Sequence, residues 1–223
     1  MAIQAVRAQT AENNISNLLA TMGVKADEAV GRAIAALLHT GSHVGAGVLE
    51  TSVAIQELEL TLHQAVFSTL ESGGLGASEI KRLTSAANIS KDLSRLGKLA
   101  ANLGQKVTDV GKHNDHEDFS RLQPLAIAVS HLCRQTLRSL ARLDPVLARN
   151  AAASGASVDA YRDYVVRGRS YHQSHATDEQ ALHLVFASRC LEQIADNATH
   201  LAETLVGFLD GYYEPDNRQS LAS

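Results

Sequence analysis

Glu192 and Asp196 stand four residues apart in Leu191-Glu192-Gln193-Ile194-Ala195-Asp196, a stretch with helical apolar spacing. One helical turn brings two such carboxylates to the same side, where their oxygens can bridge a hard or borderline metal ion. Two readings share this spacing: a metal-binding face, or a solvated acidic stripe whose repulsion is relieved by salt and by Arg189. Two carboxylates fall short of the six or more oxygens a hard ion takes, so water and another helix would supply the rest. Glu50, Glu57 and Glu59, together with Asp159 and Asp163, are the candidates for that helix.

The other potential ligands group less well. His39 and His43 are separated by Gly41-Ser42, which disturbs the helical register a zinc pair needs. His113 and His116 lie with Asp115, Glu117 and Asp118 in a polar stretch that reads as a solvated linker, and His172 and His175 flank a later loop. The spacing puts His200 away from both Glu192 and Asp196, as a partly exposed packing residue. Cys133 and Cys190 stand far apart with no Cys-x-x-Cys partner, which speaks against a disulfide scaffold or thiolate zinc site and for two buried thiols. Gly73-Gly74-Leu75-Gly76 lacks the following Lys-Ser/Thr of a phosphate-binding loop, and no Ser/His/Asp set has diagnostic spacing. No catalytic residue and no organic cofactor site is expected.

Helices must position these residues. Runs of Ala, Leu, Glu, Gln, Lys and Arg are broken at Thr40-Gly41-Ser42, at Gly73 to Gly76, between Gly111 and Ser120, at Asp144-Pro145 and between Ser174 and Asp178. The spacing predicts six helices over 12–39, 43–72, 77–110, 119–143, 146–172 and 178–210. Ser78 and Thr177 are the expected N-caps, Gly211 the expected stop of the last helix, and Glu214 to Ser223 a frayed tail. The small-residue run Ala151 to Ser157 reads either as a helix closely packed on a neighbour or as a break at Gly155.

The last helix carries the strongest pattern. Leu184, Ala187, Leu191, Ile194, Ala198, Leu201, Leu205 and Phe208 alternate spacings of three and four, a seam of the coiled-coil type. The third helix repeats it at Leu93, Leu96, Ala100, Leu103, Val107 and Val110, each 98 residues before its counterpart. The expected fold is all-α, with two tandem three-helix bundles spanning 12–112 and 117–212. On these heptads Glu192 and Asp196 face away from the seam. Their counterparts in the third helix are Ser94 and Lys98, so a metal, if present, belongs to the second repeat only.

Composition narrows the function classes. The 223 residues are 45% hydrophobic but only 4% aromatic, with three Pro, which disfavours an all-β fold. A formal net charge of -4 offers no broad basic field to nucleic acid or an anionic membrane. No run approaches a membrane span and MAIQAVRAQTAENN lacks a secretory h-region, so a cytoplasmic location is expected. A ferritin-like metalloenzyme would need inward-facing Glu-x-x-His pairs on two helices, which are not found.

The paired segments Asp92 to Leu103 and Leu191 to Glu203 resemble the PhoU family of phosphate-uptake regulators, which repeats a D-L-E-R-I-[GA]-D-x-A-x-N-I-A-E type motif in the third helix of each of two three-helix bundles. The family's E-x-x-x-D metal motif falls on Glu192 and Asp196, and its closing A-E on Ala202-Glu203; Gln193 and His200 replace the usual Arg and Asn. The first copy keeps Asp92-Leu93, Arg95, Gly97 and Asn102. Val48 to Glu59 is similar to the family's second-helix pattern, and Val158-Asp159 to its fifth. The resemblance implies a non-enzymatic cytoplasmic adaptor, often a homodimer, between the ATPase of a phosphate ABC transporter and a sensor histidine kinase. It also implies a divalent metal, or iron or zinc, on the E-x-x-x-D face. The alternative is a structural or interaction bundle with another partner.

Overall fold

The computed structural model describes residues 2–39, 47–113, 119–155, 158 and 178–213, with side chains placed for 10, 12–38, 47–110, 119–155, 158 and 182–210. Among the described residues six helices follow one another: α1 (Ala2–His39), α2 (Val48–Glu71), α3 (Ala77–His113), α4 (Gln123–Arg142), α5 (residues 145–155) and α6 (Asp178–Tyr213), with a 3-10 turn at Ser120–Leu122 before α4. The described residues contain no strand.

Helix ends follow local chemistry, and several differ from the sequence expectation. Residues 2–11 carry no Gly or Pro, so α1 begins at Ala2 rather than 12. α2 begins at Val48 rather than 43, after Gly47 turns the chain at a left-handed φ of 85°. α3 starts at Ala77, but its cap is the Glu79 carboxylate, which accepts from the Gly76 amide at 2.6 Å. Ser78 does not cap it; its hydroxyl lies 3.4 Å from Arg82 Nη1. α3 continues through Gly111 to His113, and α6 through Gly211 to Tyr213, because a lone glycine weakens a helix without ending it. At the α4–α5 corner Leu143 adopts φ 50°, and Asp144 Oδ1 accepts from the amides of Val146 and Leu147 at 2.9 and 3.1 Å. Residues 156–157 and 159–177, including the expected Thr177 cap and Asp159 and Asp163, lie outside the described residues.

Both seams are buried except at Val110 and Leu184, which are partly buried. Leu93, Leu96, Ala100 and Leu103 of α3, and Leu191, Ile194, Ala198, Leu201 and Leu205 of α6, are fully enclosed. α2 runs antiparallel along α3: a Cβ at Gly97 would lie 2.8 Å from Ile55 Cδ1, and one at Gly104 would lie 3.5 Å from Val48 Cγ2. α4 lies on α6, where the Thr136 hydroxyl donates to the Ala198 carbonyl at 3.3 Å. The seams do more than close their own bundles, because α3 and α6 pack extensively against each other and α1 also meets α4. The two repeats therefore share one continuous core.

Candidate functional site

α6 crosses α3 antiparallel, so Asp92 near the middle of α3 meets His200 of α6, with Oδ2 and Nε2 3.8 Å apart. Asp92 is buried, and its Oδ2 has no hydrogen-bond partner among the described residues. Burial raises the Asp92 carboxyl above its ordinary pKa, against the opposing pull of His200, Arg95 and a hydrogen bond from Thr204. His200 Nδ1 lies 4.0 Å from Glu203 Oε2, so the imidazole stands between two carboxylates.

Beside this group, an open cleft of about 280 Å³ lies between α5 and α6. Asp196, Thr199, His200 and Glu203 line it from α6, while Ala152, Gly155 and Val158 line the opposite side. Gly155 permits the approach, since a Cβ there would lie 2.8 Å from Thr199 Oγ1. Residues 151–155 of the small-residue run are helical and Gly155 meets α6 closely, while the last two residues of the run, 156–157, lie outside the described residues.

Glu192 and Asp196 lie on α6 as expected, but in different surroundings. The Glu192 side chain is only 17% exposed and does not line the cleft. Ser188 Oγ donates to its Oε1 at 3.3 Å, and Arg189 Nη1 lies 3.7 Å from its Oε2. Asp196 is exposed at the cleft wall. Among the described residues no three His, Cys, Asp or Glu side chains are gathered as metal ligands, so these residues alone do not supply a hard ion's coordination set. Glu50 and Glu57 are exposed on α2.

The counterparts in α3 have diverged physically as well as chemically. Lys98 is exposed, but Ser94, in the place of Glu192, is buried with its hydroxyl unpartnered. It does not share an outward face, because α2 packs along this part of α3. A carboxylate at 94 would be buried without its water.

His200 corrects the sequence expectation most clearly. It stands one turn beyond Asp196, and both line the same cleft. The spacing 196, 200, 203 on one helical stripe was the available signal. His63 lies within hydrogen-bonding distance of Ser90 Oγ (3.2 Å) and the Ala87 carbonyl (3.4 Å), a structural contact between α2 and α3. The side chains of His39, His43, His113, His116, His172 and His175 lie outside the described residues. Cys133 and Cys190 are buried free thiols, pushed by burial to about 12 and about 11, and neither is suited to act as a nucleophile at neutral pH.

A second cleft, about 380 Å³, opens between the C-terminal end of α3 and the N-terminal end of α6. Its wall is largely apolar, with Leu103, Val107, Phe119, Leu182 and Phe186, and Lys106 Nζ sits 5.5 Å from the Phe186 ring centroid.

No protein-family profile matches the chain. It is nevertheless similar along its length to curated proteins. The phosphate-specific transport system accessory protein PhoU homolog of Zymomonas mobilis is 23% identical over 201 residues, covering 89% of this chain and 85% of the relative. That of Pseudomonas aeruginosa is 25% identical over 201 residues, covering 88% and 82%. The fold agrees: the crystal structure of PhoU from Pseudomonas aeruginosa superposes with a TM-score of 0.83 over 91% of this chain and 99% of that one, at 21% identity. The chain is similar to the PhoU proteins in sequence and in fold. PhoU from Streptococcus pneumoniae, described as a phosphate transport system regulatory protein, superposes with a TM-score of 0.76 at 15% identity, over 93% and 96%. The likeness to PhoU thus covers most of the chain.

Proposed function

We propose that this protein regulates phosphate uptake and phosphate-starvation signalling as a non-enzymatic cytoplasmic adaptor, a homodimer that contacts the ATPase of a phosphate ABC transporter and a sensor histidine kinase. The observation that carries this reading is the end-to-end likeness to proteins named as accessory to phosphate-specific transport, at 23% and 25% identity over 89% and 88% of this chain. The physical character of the described residues supports it. Both thiols are held in the unreactive form, and long helices offer extended outer faces to partner proteins. No helix among the described residues is long and apolar enough to cross a membrane.

The metal implied by the resemblance is proposed for the Glu192–Asp196 face alone. These carboxylates would contribute two oxygen donors and water the others, so binding would be modest and confined to the second repeat. A pull-down from phosphate-replete cells, with proteins identified by mass spectrometry and metals by elemental analysis, tests both parts. The adaptor reading expects the transporter ATPase or the kinase in the eluate, and the metal proposal expects metal that is lost in Glu192→Ala/Asp196→Ala. Absence of both proteins sinks the first, and metal content that is nil or unchanged in the double variant sinks the second.

A further inference from the structure

α2 buries one face and leaves another without a partner among the described residues. Its buried residues are Val48, Ser52, Ile55, Leu62, Val66 and Thr69. Its large exposed apolar residues are Leu49, Val53, Leu60 and Phe67, with Leu60 62% and Phe67 65% exposed. At about 100° per residue these four fall within about 40° of one another, forming one stripe along the helix. Glu50, Glu57, Gln64 and Glu71, all exposed and spaced by seven, form a second stripe beside it, on the side away from the core. Isolated exposed apolar residues are ordinary, but two parallel stripes in one heptad frame are the pattern of a helix that packs on another helix.

The charge pattern identifies the occupant. No Lys or Arg occurs between Gly47 and Ser72, although the chain has 20. Among the described residues, Glu50, Glu57 and Glu71 form no ion pair. A second copy of α2 would bring acidic stripe against acidic stripe, and an anionic membrane would be repelled. We propose that the outer face of α2 docks a basic amphipathic helix of a partner protein, whose apolar residues cover Leu49, Val53, Leu60 and Phe67 while its Lys or Arg side chains pair with Glu50, Glu57 and Glu71. Apolar burial supplies the affinity, and the acidic edge sets orientation and rejects acidic helices. The inference rests on the adaptor reading in taking a protein as the occupant.

The probe is a fluorescein-labelled three-heptad peptide with leucine at a and d and lysine at e and g, titrated against the full chain by fluorescence anisotropy. Circular dichroism checks that each variant stays helical, as expected for substitutions at exposed positions. Leu60→Ser/Phe67→Ser and Glu57→Lys/Glu71→Lys should each weaken binding by roughly tenfold or more. The charge-reversed variant should bind a peptide carrying glutamate in place of lysine. Asp27→Lys/Glu28→Lys, with the same charge change on α1, should bind the original peptide as wild type does. The proposal is overturned if the α1 variant loses as much affinity as the α2 variant, if the lysine peptide does not bind, or if Leu60→Ser/Phe67→Ser converts a dimer to a monomer. Peptide binding as described, without transporter or kinase in the pull-down, would sink the adaptor reading alone. A successful pull-down with no peptide binding would sink this inference alone.

Discussion

Burial at the α3–α6 contact makes Asp92 a carboxylate whose charge costs stability. Desolvation raises its pKa from 3.8 despite His200, Arg95 and Thr204, so the folded chain holds the proton more readily than the unfolded one. Its contribution to stability is therefore greatest below the unfolded value and falls as pH rises through the folded value. Asp92→Asn is expected to raise the urea midpoint at pH 7 and to lose that advantage as pH approaches 3.8; an equal shift at both pH values would contradict the account. Cys133 and Cys190 should react with iodoacetamide at pH 8 at least about a hundredfold more slowly in the native chain than in urea; equal rates would show that one is accessible. The buried thiols were legible in the sequence from their isolation, whereas the spacing of Glu192 and Asp196 did not show that only Asp196 lines the cleft. The Asp92–His200 contact was not, because it depends on which helices of the two repeats meet.

The elements are held by their seams, so their weak points follow from the heptads. Leu96 is fully buried at the α3 seam, and Leu96→Ala should cost about 2–5 kcal/mol in urea unfolding. Gly155 is a different case. A side chain there meets Thr199 at under 3 Å, and Gly155→Val should cost about 1–3 kcal/mol by prising α5 from α6. A loss below a few tenths of a kcal/mol would show that α5 can shift freely. Helix identity was legible because apolar spacing of three and four persists over many turns. Helix ends were less so. Gly111 and Gly211 are passed through, and Glu79 rather than Ser78 caps α3, since both outcomes depend on local geometry rather than residue type.

At the scale of the whole molecule, the 98-residue offset between seams pointed to two similar three-helix units, but not to the packing of α3 against α6. Alanine at equivalent points, Ala100 and Ala198, marks both seams as places of close approach, and both residues are fully buried. That α3 and α6 pack on each other, with α1 also reaching α4, follows from long-range burial that a heptad pattern does not encode. The joined core makes independent unfolding of the halves unfavourable, so a single cooperative transition is expected, with far-ultraviolet dichroism and urea-dependent Cys133 alkylation changing together. The most direct test of the regulatory account is a phosphate-repressed reporter in the native host with this chain deleted. At high phosphate the account predicts that the reporter rises to the level of starved cells and returns to repression when the wild-type chain is restored; repression that persists unchanged in the deletion would contradict it.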